Sequence, residues 1–217
     1  EISGSGSAAA VAVHSVTTAP FKRALDGVHV DIQKQGSRLI IAEKHDPGFM
    51  MRMGSVSFRV VVPKGMKVID AHSVSGGISV SGVEPGIDQS FSTISGGITT
   101  ERARNLDASS TSGSIHFSSS GPMLDVRSVS GSIDGVIESL GTGGTAHLGT
   151  VSGSVSLDAF PGLDATISLH SLSGRISCAF PVTASEQKNN RLNGTIGRGS
   201  ASLDVGTISG SITISKM

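Results

Sequence analysis

Two carboxylates offer the most concrete chemistry in this chain of 217 residues. In a stack of repeats Asp107 and Asp125 hold equivalent places on adjacent strands, about 5 Å apart, where two negative charges repel by about 1 kcal/mol in water. A Ca²⁺ ion, which gathers roughly six to eight oxygens, relieves such repulsion, so Asp107 and Asp125 are the candidate cation ligands. Without an ion they are two hydrated surface groups. A ladder of hydroxyls is the second feature: Ser75, Ser95, Ser112, Ser130, Ser152, Ser173 and Ser209, with Asn193 in the same place, recur at one position of a repeated motif. Ser112, Ser130, Ser152 and Ser173 present a flat polar surface suited to a polysaccharide, a cell-wall glycan or an ice lattice, although a solvated sheet face tolerates the same residues with no ligand. Sugar surfaces usually add aromatic platforms, and this chain has no Trp, no Tyr and seven Phe.

The other reactive side chains read as structural. The seven histidines show no metal-ligand spacing. Cys178, the single cysteine, cannot form an internal disulfide and shares the inward parity of Leu172, Gly174 and Ile176, so it reads as a small core residue. Gly141-Thr142-Gly143-Gly144 and Gly197-Arg198-Gly199-Ser200 lack the Lys-Ser/Thr ending and following helix of a phosphate loop, and read as turns. Asn193-Gly194-Thr195 matches a glycosylation acceptor but coincides with the repeat motif. No catalytic residue and no organic cofactor is assigned. A polysaccharide lyase or hydrolase needs acids converging with a base, and only Asp107 with Asp125 can be paired, with no Lys or Arg assignable beside them.

Lys plus Arg and Asp plus Glu are 17 each, without blocks of one sign, which excludes an electrostatic footprint for nucleic acid. No apolar run approaches the roughly 20 residues of a membrane helix. The first residue is Glu1 and not Met, as expected if an export signal has been removed.

The elements that must position these residues are repeats. A sentence of the type Val151-Ser152-Gly153-Ser154-Val155-Ser156-Leu157 is written eight times, with central glycines Gly76, Gly96, Gly113, Gly131, Gly153, Gly174, Gly194 and Gly210. A period of about 20 residues predicts a solenoid. Alternation places Val151, Gly153, Val155 and Leu157 on one face, taken as inward, and the serines outward. Ala146 and Leu148 form a shorter inward pair, and the three-residue step from Leu148 to Val151 predicts a two-residue corner between them. Ile98, Ile115, Ile133, Val155 and Ile176 should stack as an internal ladder, in a rod of eight rungs roughly 40 Å long. The unit around Gly194 is the weakest, with Gln187 and Asn189 at apolar positions, so residues 181–191 should loop out. Upstream, Val28 to Ile32 and Leu39 to Ile41 read as two strands, 45–54 as a loop and Val56 to Val62 as a strand.

VSFRVVVPKGMKVIDAHSVSGGISVSGVE, the recurring SG[GS]I units and the closing GTIGRGSASLDVGTISGSITISK resemble the bacterial "putative adhesin" family of β-strand-repeat proteins. The start, with ISGSGS, Phe21 and GVHVDIQKQG, is similar to the opening of GIN-type adhesin-head domains. The resemblance implies a β-helical domain in an exported or envelope-associated protein and carries no catalytic residues.

The expectation is an all-β, single-domain parallel β-helix, right-handed, with N-terminal strands over 1–68 continuous with repeats over 69–217. Its expected role is a non-enzymatic adhesin or binding module in the periplasm, at the outer membrane or on the cell surface. The ligand would be a cell-surface glycan or protein, contacted by the serine faces and by connections 83–90, 138–145 and 181–191. The alternative is a self-associating structural protein: if the last unit, ending at Ile212 and Ile214, is an uncovered rung, it offers free backbone groups for a homo-oligomer through the C-terminal end.

Overall fold

The structure, a computed structural model, describes residues 2–4, 11–18, 28–35, 38–45 and 55–217. These form nineteen strands, with no helix among the described residues. In chain order they are β1 (Ile2–Gly4), β2 (Ala12–Thr18), β3 (Val28–Gln35), β4 (Arg38–His45), β5 (Ser55–Val62), β6 (Val68–Ser73) and β7 (Ile78–Ser81). There follow β8 (Ile87–Thr93), β9 (Ile98–Ser110), β10 (Ile115–Ser128), β11 (Ile133–Ile137), β12 (Thr145–Ser152) and β13 (Val155–Ala159). The last are β14 (Ala165–Ser171), β15 (Ile176–Cys178), β16 (Thr183–Lys188), β17 (Arg191–Ile196), β18 (Ala201–Ser209) and β19 (Ile212–Lys216). Apart from the β3–β4 hairpin they belong to one sheet that bends at repeated corners. Of the expected loop 45–54, His45 is instead the last residue of β4, and 46–54 lie outside the described residues.

Each unit contributes one strand to each of two walls. The first wall runs β6, β8, the second half of β9, the second half of β10, β12, β18 and β14, all parallel. The second runs β7, the starts of β9 and β10, then β11, β13, β19 and β15, also parallel. β1 inserts beside β7, with β5 and then antiparallel β2 beyond it. Strict alternation fills the space between the walls: β14 reads buried and exposed in turn from Ala165 to Ser171. The expected isoleucine ladder exists as Ile78, Ile98, Ile115, Ile133, Val155, Ile212 and Ile176, with Ile212 slotted in before Ile176. Each such side chain contributes about 1.5–3 kcal/mol when fully buried, and only flanking units exclude the water.

Three expectations are corrected. The corner is not at Gly149–Thr150 but at the glycine: β12 runs on to Ser152, and β13 begins at Val155. Thr150 is therefore the last inward residue of its strand and Val151, expected inside, is 42% exposed. The second correction concerns the order of units. The last one is not an uncovered end: β18 lies between β12 and β14, and β19 between β13 and β15, with Ile212 and Ile214 buried. The premise for association through the C-terminal rung is removed. Third, the unit around Gly194 is no parallel rung. β17 runs antiparallel to β14 and pairs with β16 as a hairpin, so 183–188 forms a strand instead of looping out.

The corner has a specific construction. A Cβ on Gly96, Gly113, Gly131, Gly153, Gly210 or Gly174 would stand 1.8–2.3 Å from the carbonyl oxygen of the glycine in the neighbouring unit. Three residues before each glycine a hydroxyl donates to that same carbonyl. Thr93, Ser110, Ser128, Thr150, Thr207 and Ser171 bond Gly76, Gly96, Gly113, Gly131, Gly153 and Gly210 at 2.9–3.2 Å. The working motif is thus Ser/Thr-x-Ser-Gly, in which the first hydroxyl closes a carbonyl that the bend leaves without a ladder partner.

The insertion of the last unit has a local cause. The hairpin β16–β17 occupies the outer edge of β14, leaving β18 only the inner edge. The chain crosses the start of β14 through Gly197–Ser200, with Gly197 and Gly199 at positive φ of 65° and 76°. Asp164 Oδ1 accepts the amides of Ser200, Arg198 and Gly199 at 3.2, 2.7 and 2.6 Å. These amides hold the Asp164 carboxyl below its ordinary value of 3.8. The nest that would suit a phosphate is filled by the chain's own carboxylate.

Two outcomes follow for stability. Gly153→Ala forces a methyl into the Gly131 carbonyl and should destabilise the fold by about 3 kcal/mol or more in urea unfolding. Asp164, with its folded pKa depressed, contributes stability that is present above about pH 4 and lost as pH falls through the folded value. The melting temperature of Asp164→Asn should therefore lie below wild type at neutral pH and converge with it in acid; a constant gap would show that the amide clasp does not titrate.

Candidate binding surfaces

On the outer face of the first wall the register aligns Asp70, Ser90, Asp107, Asp125, His147, Asp204 and Ser168. Asp107 and Asp125 are directly opposed, as their spacing requires. The carboxylate pair is not bare: Arg127 Nη2 donates to Asp125 Oδ2 at 2.7 Å. Among the described residues no group of three His, Cys, Asp or Glu side chains is arranged to hold a metal ion. His147 Nδ1 and His170 Nδ1 lie 3.7 and 3.9 Å from Asp204, so two of the histidines flank one carboxylate. Cys178 sits half-buried opposite Ile214, and burial pushes its thiol up, as suits a core position.

Ser112, Ser130, Ser152 and Ser173 are exposed along the corner between the walls. Their order in space is Ser112, Ser130, Ser152, Ser209, Ser173, because the last unit is interleaved. Of the long connections, 83–90 buries Val83 and Ile87, and 138–145 buries Leu140 and bonds Gly143 N to Ser200 O at 2.7 Å. Residues 183–188 of the third are strand β16. The first two are packed parts of the scaffold, and the third is a largely exposed edge strand.

Among the described residues an open groove of about 600 Å³ lies on the outer face of the second wall. Its polar rim carries Glu101, Arg102, His116, Asp134, Glu138 and Asp158. The groove exists because β9 bends within one strand. Thr100 and Ala103 both point inward, so Glu101 and Arg102 form a bulge, with a register shift against Phe117 and Ser119. Arg102 takes φ of +54°, a value seen here for no other non-glycine residue among those described, and its amide donates to Ser118 Oγ at 2.9 Å. From inside, buried Gln89 Nε2 donates to the Glu101 carbonyl at 3.1 Å while Thr100 Oγ1 bonds Gln89 Oε1. From outside, Arg104 grips Asp88 with Nε at 2.8 Å and Nη2 at 2.6 Å, and its hydrogen bonds and charge hold that carboxyl below the ordinary range. His116 Nδ1 stands 3.4 Å from Asp134 Oδ2 across the floor. Four carboxylates face Arg102 and a histidine, so the groove is net acidic.

Neither Arg102 nor Gln89 was singled out by motif. The available signal was the three-residue step between inward Thr100 and Ala103, which marks a bend as surely as the corners do.

An all-β, solenoid-like domain with glycine corners defines a class of repeat-built scaffold proteins. The chain belongs to the Toastrack DUF4097 family, which matches residues 66–215. The match begins after the segment that resembles GIN-type domains, and nothing extends that likeness. No curated protein matches the chain. It is similar to a crystal structure of a "putative cell adhesion protein" from Clostridium sporogenes ATCC 15579, with 8% identity and a TM-score of 0.41 over 100% of this chain and 87% of the other.

Gln89→Leu keeps the side-chain volume but leaves the Glu101 carbonyl and the Thr100 hydroxyl enclosed without partners. It should cost about 1–3 kcal/mol in chemical denaturation, with Thr100→Val in the same background recovering part of the loss.

Proposed function

We propose that this chain is a non-enzymatic adhesin-type binding module exposed at the bacterial envelope, built on a right-handed parallel β-helical scaffold. Its ligand is an uncharged or amine-bearing envelope glycan seated in the groove of the second wall. The observation that carries this reading is the strained Arg102 at the groove rim. A left-handed arginine costs of order 1–3 kcal/mol, and the surroundings spend a buried glutamine and an ion pair to keep it there. Such strain positions a side chain for contact. Carboxylates and a guanidinium match the vicinal hydroxyls of a sugar as planar acceptors and donors, and the acidic balance disfavours sulfated or uronic polymers.

Catalysis is the less favoured reading because the groove histidine is already engaged by Asp134. Arg102→Gly separates the roles of the residue. Glycine accepts φ of +54° without strain, so this variant should be more stable by about 0.5–1 kcal/mol while losing at least about tenfold in glycan affinity. A glycan array probed with both proteins reads the outcome. Silence of the wild type, or full retention of binding by Arg102→Gly, sinks the proposal, and release of reducing ends from a bound glycan sinks its non-enzymatic half.

A further inference from the structure

Six of the twelve exposed large hydrophobic residues among those described fall on one line: Val74, Ile94, Val129, Val151, Ile208 and Leu172, each 42–72% exposed. With Thr111 they form a continuous ladder along the corner, in the spatial order Val74, Ile94, Thr111, Val129, Val151, Ile208, Leu172. Neighbours are about 4.8 Å apart, so the stripe is roughly 29 Å long. It departs from most other outward positions of the walls, which are polar apart from residues such as Val68 and Met123. The serine ladder runs along one side of it, and Arg127, the charged side chain beside its centre, is held by Asp125.

We propose that this corner stripe is the interface of a two-fold homodimer, with a second copy of the chain as its occupant. Two properties select a second copy. The stripe is close to palindromic about Val129: Ile94 mirrors Ile208, Thr111 mirrors the isosteric Val151, and Val74 mirrors Leu172. A two-fold axis across Val129 therefore lays like on like with the stripes antiparallel, which is the self-complementarity an isologous contact requires. The area also fits. Half-exposed aliphatic side chains leave roughly 60–90 Å² each, or about 400–500 Å² for six, the size of a patch that is often functional. Two such stripes make a contact at the low end of interface sizes, which the serine ladder beside them extends. Isoleucines and valines at rung spacing interlock as in stacked sheets. The interface is lateral, so it leaves the second-wall groove open in both copies.

Sedimentation velocity of the chain from about 1 to 500 µM tests this, beside oxidative cross-linking. Val129→Cys, on the axis, should form a disulfide-linked dimer, and Thr111→Cys mixed with Val151→Cys should form the mixed dimer. Thr99→Cys, outward on the second wall, should not cross-link. Val129→Lys should raise the monomer–dimer midpoint at least tenfold with an unchanged melting temperature; if that variant fails to fold, Ile94→Ser serves the same purpose. A wild type that stays monomeric throughout, or a dimer indifferent to these substitutions, overturns the proposal. So does a monomer that pellets with phosphatidylcholine vesicles through the same residues, an outcome that assigns the stripe to a lipid surface.

Discussion

At each corner the carbonyl of one glycine occupies the volume in which the next glycine would carry a Cβ, and a buried hydroxyl three residues upstream closes the hydrogen bond that the bend would otherwise waste. Both walls depend on this contact. It sets the angle between them, keeps Thr150 and its equivalents inside, and turns the following residue out. The burial of Ile98, Ile115, Ile133, Val155 and Ile212 on the second wall and of Leu106, Val126, Leu148 and Val205 on the first is possible only because the corner brings the two faces together. Serine and threonine at this place are structural acceptors' partners, whereas the serine next to the glycine is solvated and free to meet other molecules.

Interleaving of the last unit changes how the domain holds together. In a simple solenoid each unit contacts its sequence neighbours and stability adds along the rod. Here residues 145–159 and 165–178 are joined through 201–216, so hydrogen bonds such as Thr207 to Gly153 span 54 positions. Long-range closure of this kind slows folding and makes unfolding more cooperative. It also protects the C-terminal strand, which would be an aggregation-prone edge if it ended the stack. Asp164 is central to this arrangement, because its carboxylate holds the short crossover that carries the chain around the start of β14.

The functional surfaces arise where the repeat departs from itself. The groove forms where β9 gains a residue, and the strain at Arg102 is sustained by Gln89 within and by Asp88 with Arg104 outside. The apolar stripe arises at the opposite extreme, from an outward position that keeps the same residue type in nearly every unit. Much of this was legible. The alternation of Ala146, Leu148 and Val155 marks the inner face, and Asp107 and Asp125 are opposed as their spacing demands. What misled was the parity of Val151: an aliphatic residue in phase with Val155 reads as core, but a corner between them reverses the face.

The sequence by itself determined the class of the fold, since glycine period, alternation and slim aliphatic residues leave no other way to bury enough surface than to stack strands in two walls. It determined also the inward line of the strand that follows each corner, Val155 and Leu157 among its residues. Only the tertiary structure decided the order of the units, the reversal at β17 and the outward turn of Val151 and its equivalents. The physical reason is degeneracy. Repeats of one sentence present interchangeable edges, so local pattern cannot tell β12 to pair with β18 and not with β14. That choice goes with the edge of β14 that the β16–β17 hairpin occupies, a constraint that exists only in three dimensions.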